Sequence, residues 1–110
     1  TRRFVEGKAS CTVNIALIEG EGAVGGVVSA PASGLTWAAG RADGHVAAFR
    51  RAFGGDWERI GVRPRPADGG QAVLSHSLTP AEADALSAEH GCVGWSCEDS
   101  SLKFCLIAEG

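Results

Sequence analysis

The sequence predicts an α/β protein in α+β layers, a partial domain in which an antiparallel meander leads into a βαβ-α unit. Three observations predict it. Thr12–Ile18 (TVNIALI) and Ala23–Ala30 (AVGGVVSA) are apolar runs rich in β-branched residues, and Glu19–Gly22 separates them as a hairpin connection would. Arg63–Gly70 (RPRPADGG) cannot continue a helix or a central strand, because its prolines lack a donor and its glycine pair favours a turn. Thr79-Pro80-Ala81-Glu82 then carries a helix start, with Thr79 as the cap, Pro80 at the first helical position and Glu82 closing a capping box.

In chain order, Phe4-Val5 suits a short helical turn or the entry to a strand, and Gly7–Ser10 suits a loop. The hairpin runs are apolar on both faces rather than alternating, which predicts cover from both sides, by helices. Only one or two helices can be found in the chain, so part of that cover is expected to be missing. Leu35–Ala39 (LTWAA) reads as a third strand, Gly40–Gly44 as a turn and His45–Arg51 as a fourth strand. Ala52–Asp56 turns again, and Trp57–Val62 alternates weakly, as an edge strand would. Beyond the Pro/Gly break, Gln71–Ser75 predicts a short buried strand. The helix from Pro80 runs to His90 and stops at Gly91. Cys92–Cys97 is the next strand, making a parallel pair through a right-handed crossover. Asp99-Ser100 caps a last helix, Ser101–Glu109.

Composition narrows the function classes. At 110 residues the chain is one domain or part of one, and its net charge of −3 argues against a surface for nucleic acid or another polyanion. Cys11, Cys92, Cys97 and Cys105 sit in apolar runs without C-x-x-C spacing, which predicts buried, reduced thiols. Neither they nor the scattered His45, His76 and His90 have zinc-ligand spacing. There is no signal peptide and no transmembrane run, so the protein reads as soluble and cytoplasmic. The carboxylates do not cluster: Glu19 and Glu21 flank a turn, Glu58 lies on an edge strand, and Glu82, Asp84 and Glu89 share a helix. No nucleophile elbow, Walker-type loop or dinucleotide fingerprint is present. One stretch stands out. Asp99-Ser100-Ser101-Leu102-Lys103 opens a helix with hydroxyls and a cation close together, a combination suited to an anion such as phosphate.

Phe4-Val5, Thr12–Glu19 (TVNIALIE), Gly26-Val27-Val28 with Ala30-Pro31-Ala32, and Ser100–Gly110 (SSLKFCLIAEG) together resemble the bacterial 3'(2'),5'-bisphosphate nucleotidases of the CysQ type. These belong to the inositol monophosphatase-like, Mg2+-dependent, lithium-sensitive phosphatases. The likeness covers nearly the whole chain, is most specific in TVNIALIE and SSLKFCLIAEG, and is loose over Gly40–Asp68. It implies the layered sugar-phosphatase fold. Residues 1–62 would be the second part of its N-terminal antiparallel layer, 63–70 a linker, and 71–110 the start of its C-terminal α/β layer.

The resemblance also implies an activity. Mg2+-dependent removal of the 3'-phosphate of adenosine 3',5'-bisphosphate, and of 3'-phosphoadenylyl sulfate, would serve sulfate assimilation. Thr1 matches the Thr of Asp-Pro-x-Asp-Gly-Thr, which implies a catalytic and substrate-contacting hydroxyl that orients the attacking water. Ser100 and Lys103 match nucleotide-contacting positions. The metal carboxylates would lie outside residues 1–110, so the chain resembles an internal fragment, inactive alone, with no metal ligand of its own. Leu78 stands where the family has a His that stacks near adenine, with His76 two positions earlier as a substitute, and Asp99 replaces a common Gly. The implied location is cytoplasmic, or peripheral at the inner face of the cell membrane, with the oligomeric state open. Two alternatives stand beside this reading: an inositol monophosphatase-type enzyme of the same superfamily, and a complete, non-catalytic α+β binding domain.

Overall fold

Residues 11–98 and 101–110 are described by a computed structural model of the chain. The readings at Phe4-Val5, Gly7–Ser10 and Asp99-Ser100 lie outside them. Five strands form one antiparallel sheet in sequence order: β1 (Val13–Glu19), β2 (Gly22–Ala30), β3 (Leu35–Ala42), β4 (His45–Ala52) and β5 (Glu58–Ile60). The predicted meander is there, with different ends. The Gly40–Gly44 turn narrows to Asp43-Gly44, since Arg41 and Ala42 still pair with Val46 and His45. Asp43 and Gly44 have φ of 52° and 78°. Positive φ at both central residues is the two-residue hairpin turn whose twist matches its strands, so no wider loop is needed. The edge strand shrinks from Trp57–Val62 to Glu58–Ile60, the only β5 residues paired to β4.

Side chains alternate across a strand, so the pairing register sorts the two faces. One row runs Asn14, Val28, Trp37, Arg50, Glu58, and the neighbouring row on the opposite face runs Ile15, Val27, Ala38, Phe49, Arg59. The Trp37 face holds the core: Ala30, Trp37 and Cys105 are buried, with Val28, Leu35, Ile60 and Leu102 packed on them. The expected cover on both sides is partial among the described residues. Ile15 and Leu17 are 67% and 65% exposed, because a single short helix lies on one face. On the other face Arg51 sits over Trp57 at 5.0 Å and Arg59 over Phe49 at 5.9 Å.

After the break, β6 (Gln71–Leu74) and β7 (Gly94–Cys97) form a parallel pair around α1 (Pro80–Glu89). The capping box forms as predicted. Thr79 Oγ1 accepts from Glu82 N at 3.2 Å and Thr79 N donates to Glu82 Oε1 at 3.1 Å. Gly91, just past the cap, takes φ +68°. Inside the unit Ala83 is fully buried, and the buried Ser87 hydroxyl donates to Gly94 O at 3.2 Å. Asp84 accepts from Trp95 Nε1 at 2.7 Å, so two of the three helix carboxylates hold structure.

The backbone N–H and then the hydroxyl of Thr79 lower the Glu82 carboxyl from its ordinary range. A folded pKa below the unfolded one gives stability that is present above the unfolded pKa and lost as pH falls through the folded one. Glu82→Gln should therefore lose part of the acid sensitivity below about pH 4, read from urea midpoints at neutral and acid pH. Equal acid sensitivity in both proteins would remove this carboxylate from the account.

The last helix, α2 (Leu102–Ala108), is shorter than the predicted Ser101–Glu109. Its cap is Ser101, and the Ser101 hydroxyl makes no capping bond because it turns to β1 instead. All four cysteines are free, but only Cys105 is buried; Cys11, Cys92 and Cys97 are half-buried, which corrects the expectation of buried thiols at every position. No helix among the described residues is long and apolar enough to cross a membrane.

Candidate functional site

Of the three residues expected to form the site, Lys103 alone lies among the described residues; Thr1 and Ser100 lie outside them. Lys103 stands in the first turn of α2, half-buried, with its ammonium 5.5 Å from the centre of the Phe104 ring. Where it stands is decided by how α2 is held.

At the start of α2, Ser101 Oγ donates to Asn14 Oδ1 at 2.7 Å and lies 2.8 Å from Thr12 Oγ1. Asn14 Nδ2 reaches Thr12 Oγ1 at 3.4 Å. Since the Ser101 proton goes to Asn14, Thr12 is the donor to Ser101, and the three side chains close a ring. The ring joins the segment leading into β1 to the helix that carries Lys103. At the end of α2, Glu109 Oε2 accepts from Trp37 Nε1 at 2.9 Å and from Arg50 Nη1 at 3.0 Å. Arg50 Nη2 also approaches the exposed Glu58 at 3.6 Å. Between the two attachments Cys105 faces the sheet. Burial, and then the Glu109 charge, push its thiol up, so it stays protonated and serves as packing.

Beside α2 a groove of about 620 Å³ opens along the Trp37 face, lined by Asn14, Val28, Trp37, Ser101, Phe104 and Ala108 among others. Its walls are mostly aliphatic and aromatic, so it suits apolar cover rather than a phosphate. No group of three or more His, Cys, Asp or Glu that could hold a metal ion exists among the described residues. A Mg2+ ion, which needs carboxylate oxygens in near-octahedral order, does not fit them.

The Ser101 ring and the Glu109 clamp escape sequence reasoning. Thr12 and Asn14 offer a signal, two polar residues spaced by one within an apolar strand run and therefore on one face. Glu109 offers none, as its partners are 72 and 59 positions away.

No family model matches the chain. The whole chain aligns with the 3'(2'),5'-bisphosphate nucleotidase CysQ of Escherichia coli (strain K12), 35% identical over 115 residues, and equally with that of Shigella flexneri. The chain spans 42% of the length of these relatives. Among solved structures it resembles CysQ from Bacteroides thetaiotaomicron, described as a bacterial member of the inositol monophosphatase family. The TM-score is 0.73 and the identity 26%, over 99% of this chain and 45% of that one. It shares the fold of Mycobacterium tuberculosis SuhB, with a TM-score of 0.70 at 18% identity, over 99% of this chain and 46% of that one. Likeness in sequence along the whole chain and likeness in fold point the same way: the chain resembles part of the CysQ enzymes and shares the fold of inositol monophosphatase-family structures.

Proposed function

We propose that the protein carrying this chain is a Mg2+-dependent 3'(2'),5'-bisphosphate nucleotidase of the cytoplasm. It removes the 3'-phosphate of adenosine 3',5'-bisphosphate, and of 3'-phosphoadenylyl sulfate, in sulfate assimilation. The observation that carries this reading is the 35% identity of the entire chain to enzymes named for that activity. In it, residues 1–62 belong to the antiparallel layer, 63–70 link, and 71–110 begin the second layer. Metal ions would activate water and neutralise charge on the phosphoryl oxygens. Their ligands are assigned outside this chain.

The roles assigned within the chain are binding and orientation. Lys103 is a compact cation with three donors, suited to meet a phosphate oxygen of the nucleotide as a point charge. The Ser100 hydroxyl is assigned a further hydrogen bond to the nucleotide. The Thr1 hydroxyl orients the attacking water against the scissile phosphate. A hydrogen bond to a charged group contributes about 1.5–3 kcal/mol. Lys103→Ala in the full-length protein should therefore lower kcat/KM for adenosine 3',5'-bisphosphate by about 10- to 100-fold, mostly through KM.

The test is phosphate release by the full-length protein with Mg2+, comparing that nucleotide with inositol monophosphate. Preference for the nucleotide supports the reading, and preference for inositol monophosphate replaces it with the second enzyme of the same fold. The 110-residue chain alone should release no phosphate, and robust release by it would contradict the assignment of the metal ligands.

A further inference from the structure

We infer that Glu109 is a positioning residue for nucleotide binding: its grip on Trp37 and Arg50 sets where α2, and with it Lys103, stands. This rests on the role proposed above for Lys103. A helix as short as α2, at seven residues, has few backbone hydrogen bonds of its own and is marginal unless something outside holds it. Its placement therefore comes from the packing of Leu102 and Cys105 on the sheet and from its polar attachments, and both polar attachments described lead to the antiparallel sheet. Ser101 reaches β1 at one end, and Glu109 reaches β3 and β4 at the other.

The two attachments differ in kind. The Ser101 ring joins neutral groups at a half-exposed site, where water competes for the same donors and acceptors. Glu109 is an ionised acceptor receiving an indole N–H and a guanidinium on one oxygen, and charge-assisted bonds of this sort are the stronger ones. Its side chain is 21% exposed. It also stands at the C-terminal end of the helix, where a negative charge opposes the helix dipole. The Arg50 and Trp37 donors offset that cost, so the carboxylate favours the helix only when docked. Lys103 lies six residues away, about 9 Å along the axis. If the clamp is released, the helix can roll or slide on the groove beside it and carry the ammonium with it.

The experiment is a double-mutant cycle in the full-length protein, with adenosine 3',5'-bisphosphate as substrate. Glu109→Ala should raise KM with a smaller change in kcat, and lower kcat/KM by about 10- to 100-fold, the scale of an ångström-sized misplacement. Glu109→Gln should recover part of the loss, because its amide oxygen can still accept both donors. In a Lys103→Ala background, Glu109→Ala should add little, since a residue acting through Lys103 has nothing left to place. Fully additive losses, or no change in KM for Glu109→Ala, would overturn the inference. If Glu109→Ala does not fold, Trp37→Phe and Arg50→Lys weaken the same clamp one donor at a time and run the same cycle. A wild-type protein that ignores the nucleotide marks failure of the functional reading. An active wild type with additive losses marks failure of the positioning role alone.

Discussion

Trp37→Ala should lower the stability of the protein by about 3–5 kcal/mol, more than any other single truncation on the sheet. Trp37 is 6% exposed and sits in a buried cluster that joins sheet to α2, with Ala30 and Cys105. Truncation removes the indole, leaves a cavity that the strand backbones cannot close, and takes one donor from the half-buried Glu109. Trp37→Phe separates these effects. It keeps most of the ring and removes the N–H, so its loss should be about 1.5–3 kcal/mol, the scale of a hydrogen bond to a charged group. Urea midpoints at unchanged slope give both values. Equal losses for the two variants would mean that packing contributes nothing at this position, contrary to its place at the centre of the buried cluster.

Gly69→Ala should be nearly as damaging, for a reason that lies in the backbone. Gly69 has φ +106°, and a Cβ built there would stand 1.8 Å from Gly91 O. Gly91 cannot retreat freely, since it follows the α1 cap at φ +68° and its neighbour Cys92 N is bound to Ser87 O at 2.9 Å. The loop must therefore lift away. Arg65 currently holds it by donating to Gly69 O and to His90 O. Gly70 O also accepts from Val93 N at 2.9 Å, a bond that leads directly into β7. Backbone strain alone costs about 1–3 kcal/mol, and the clash adds to it. Gly44→Ala is the matched control. It shares a positive φ of +78° but has nothing within 4 Å of the added carbon. It should lose only the left-handed cost of about 1–2 kcal/mol. Amide exchange at Val93 should quicken in Gly69→Ala and stay unchanged in Gly44→Ala. No difference between the two variants would show that the approach of Gly69 to Gly91 carries no stability.

What can be read from sequence follows the range of each interaction. The Thr79–Glu82 box lies within four residues, and its atoms meet as the spacing requires. The five-stranded meander follows from β-branched runs and turn residues, both local signals. The Asp43-Gly44 turn reads too wide because Gly40 invites a break, whereas pairing with Ala47 keeps it in the strand. The last helix departs from expectation for another reason. Local spacing puts Ser101 inside a helix capped by its neighbours, yet its hydroxyl goes to a residue 87 positions away. No local rule anticipates that partner. Of the four thiols expected to be buried, Cys105 alone is, because burial depends on what lies over a strand as much as on the strand's own residues. The family resemblance emerges from extended runs such as TVNIALIE and SSLKFCLIAEG, whereas the proposed site rests on Lys103 together with Thr1 and Ser100 outside the described residues.

The two attachments of α2 bear on the order in which the protein assembles. Each hairpin of the meander closes over a short connection, so those pairings can zip early and cheaply. The bonds from α2 to the sheet bridge separations of 59, 72, 87 and 89 positions, and such contacts reward the chain only after most of its loops have closed. Docking of the final helix is then a late event, absent from the rate-limiting barrier. Weakening Glu109 or Trp37 should hasten unfolding while leaving the refolding rate nearly as it was.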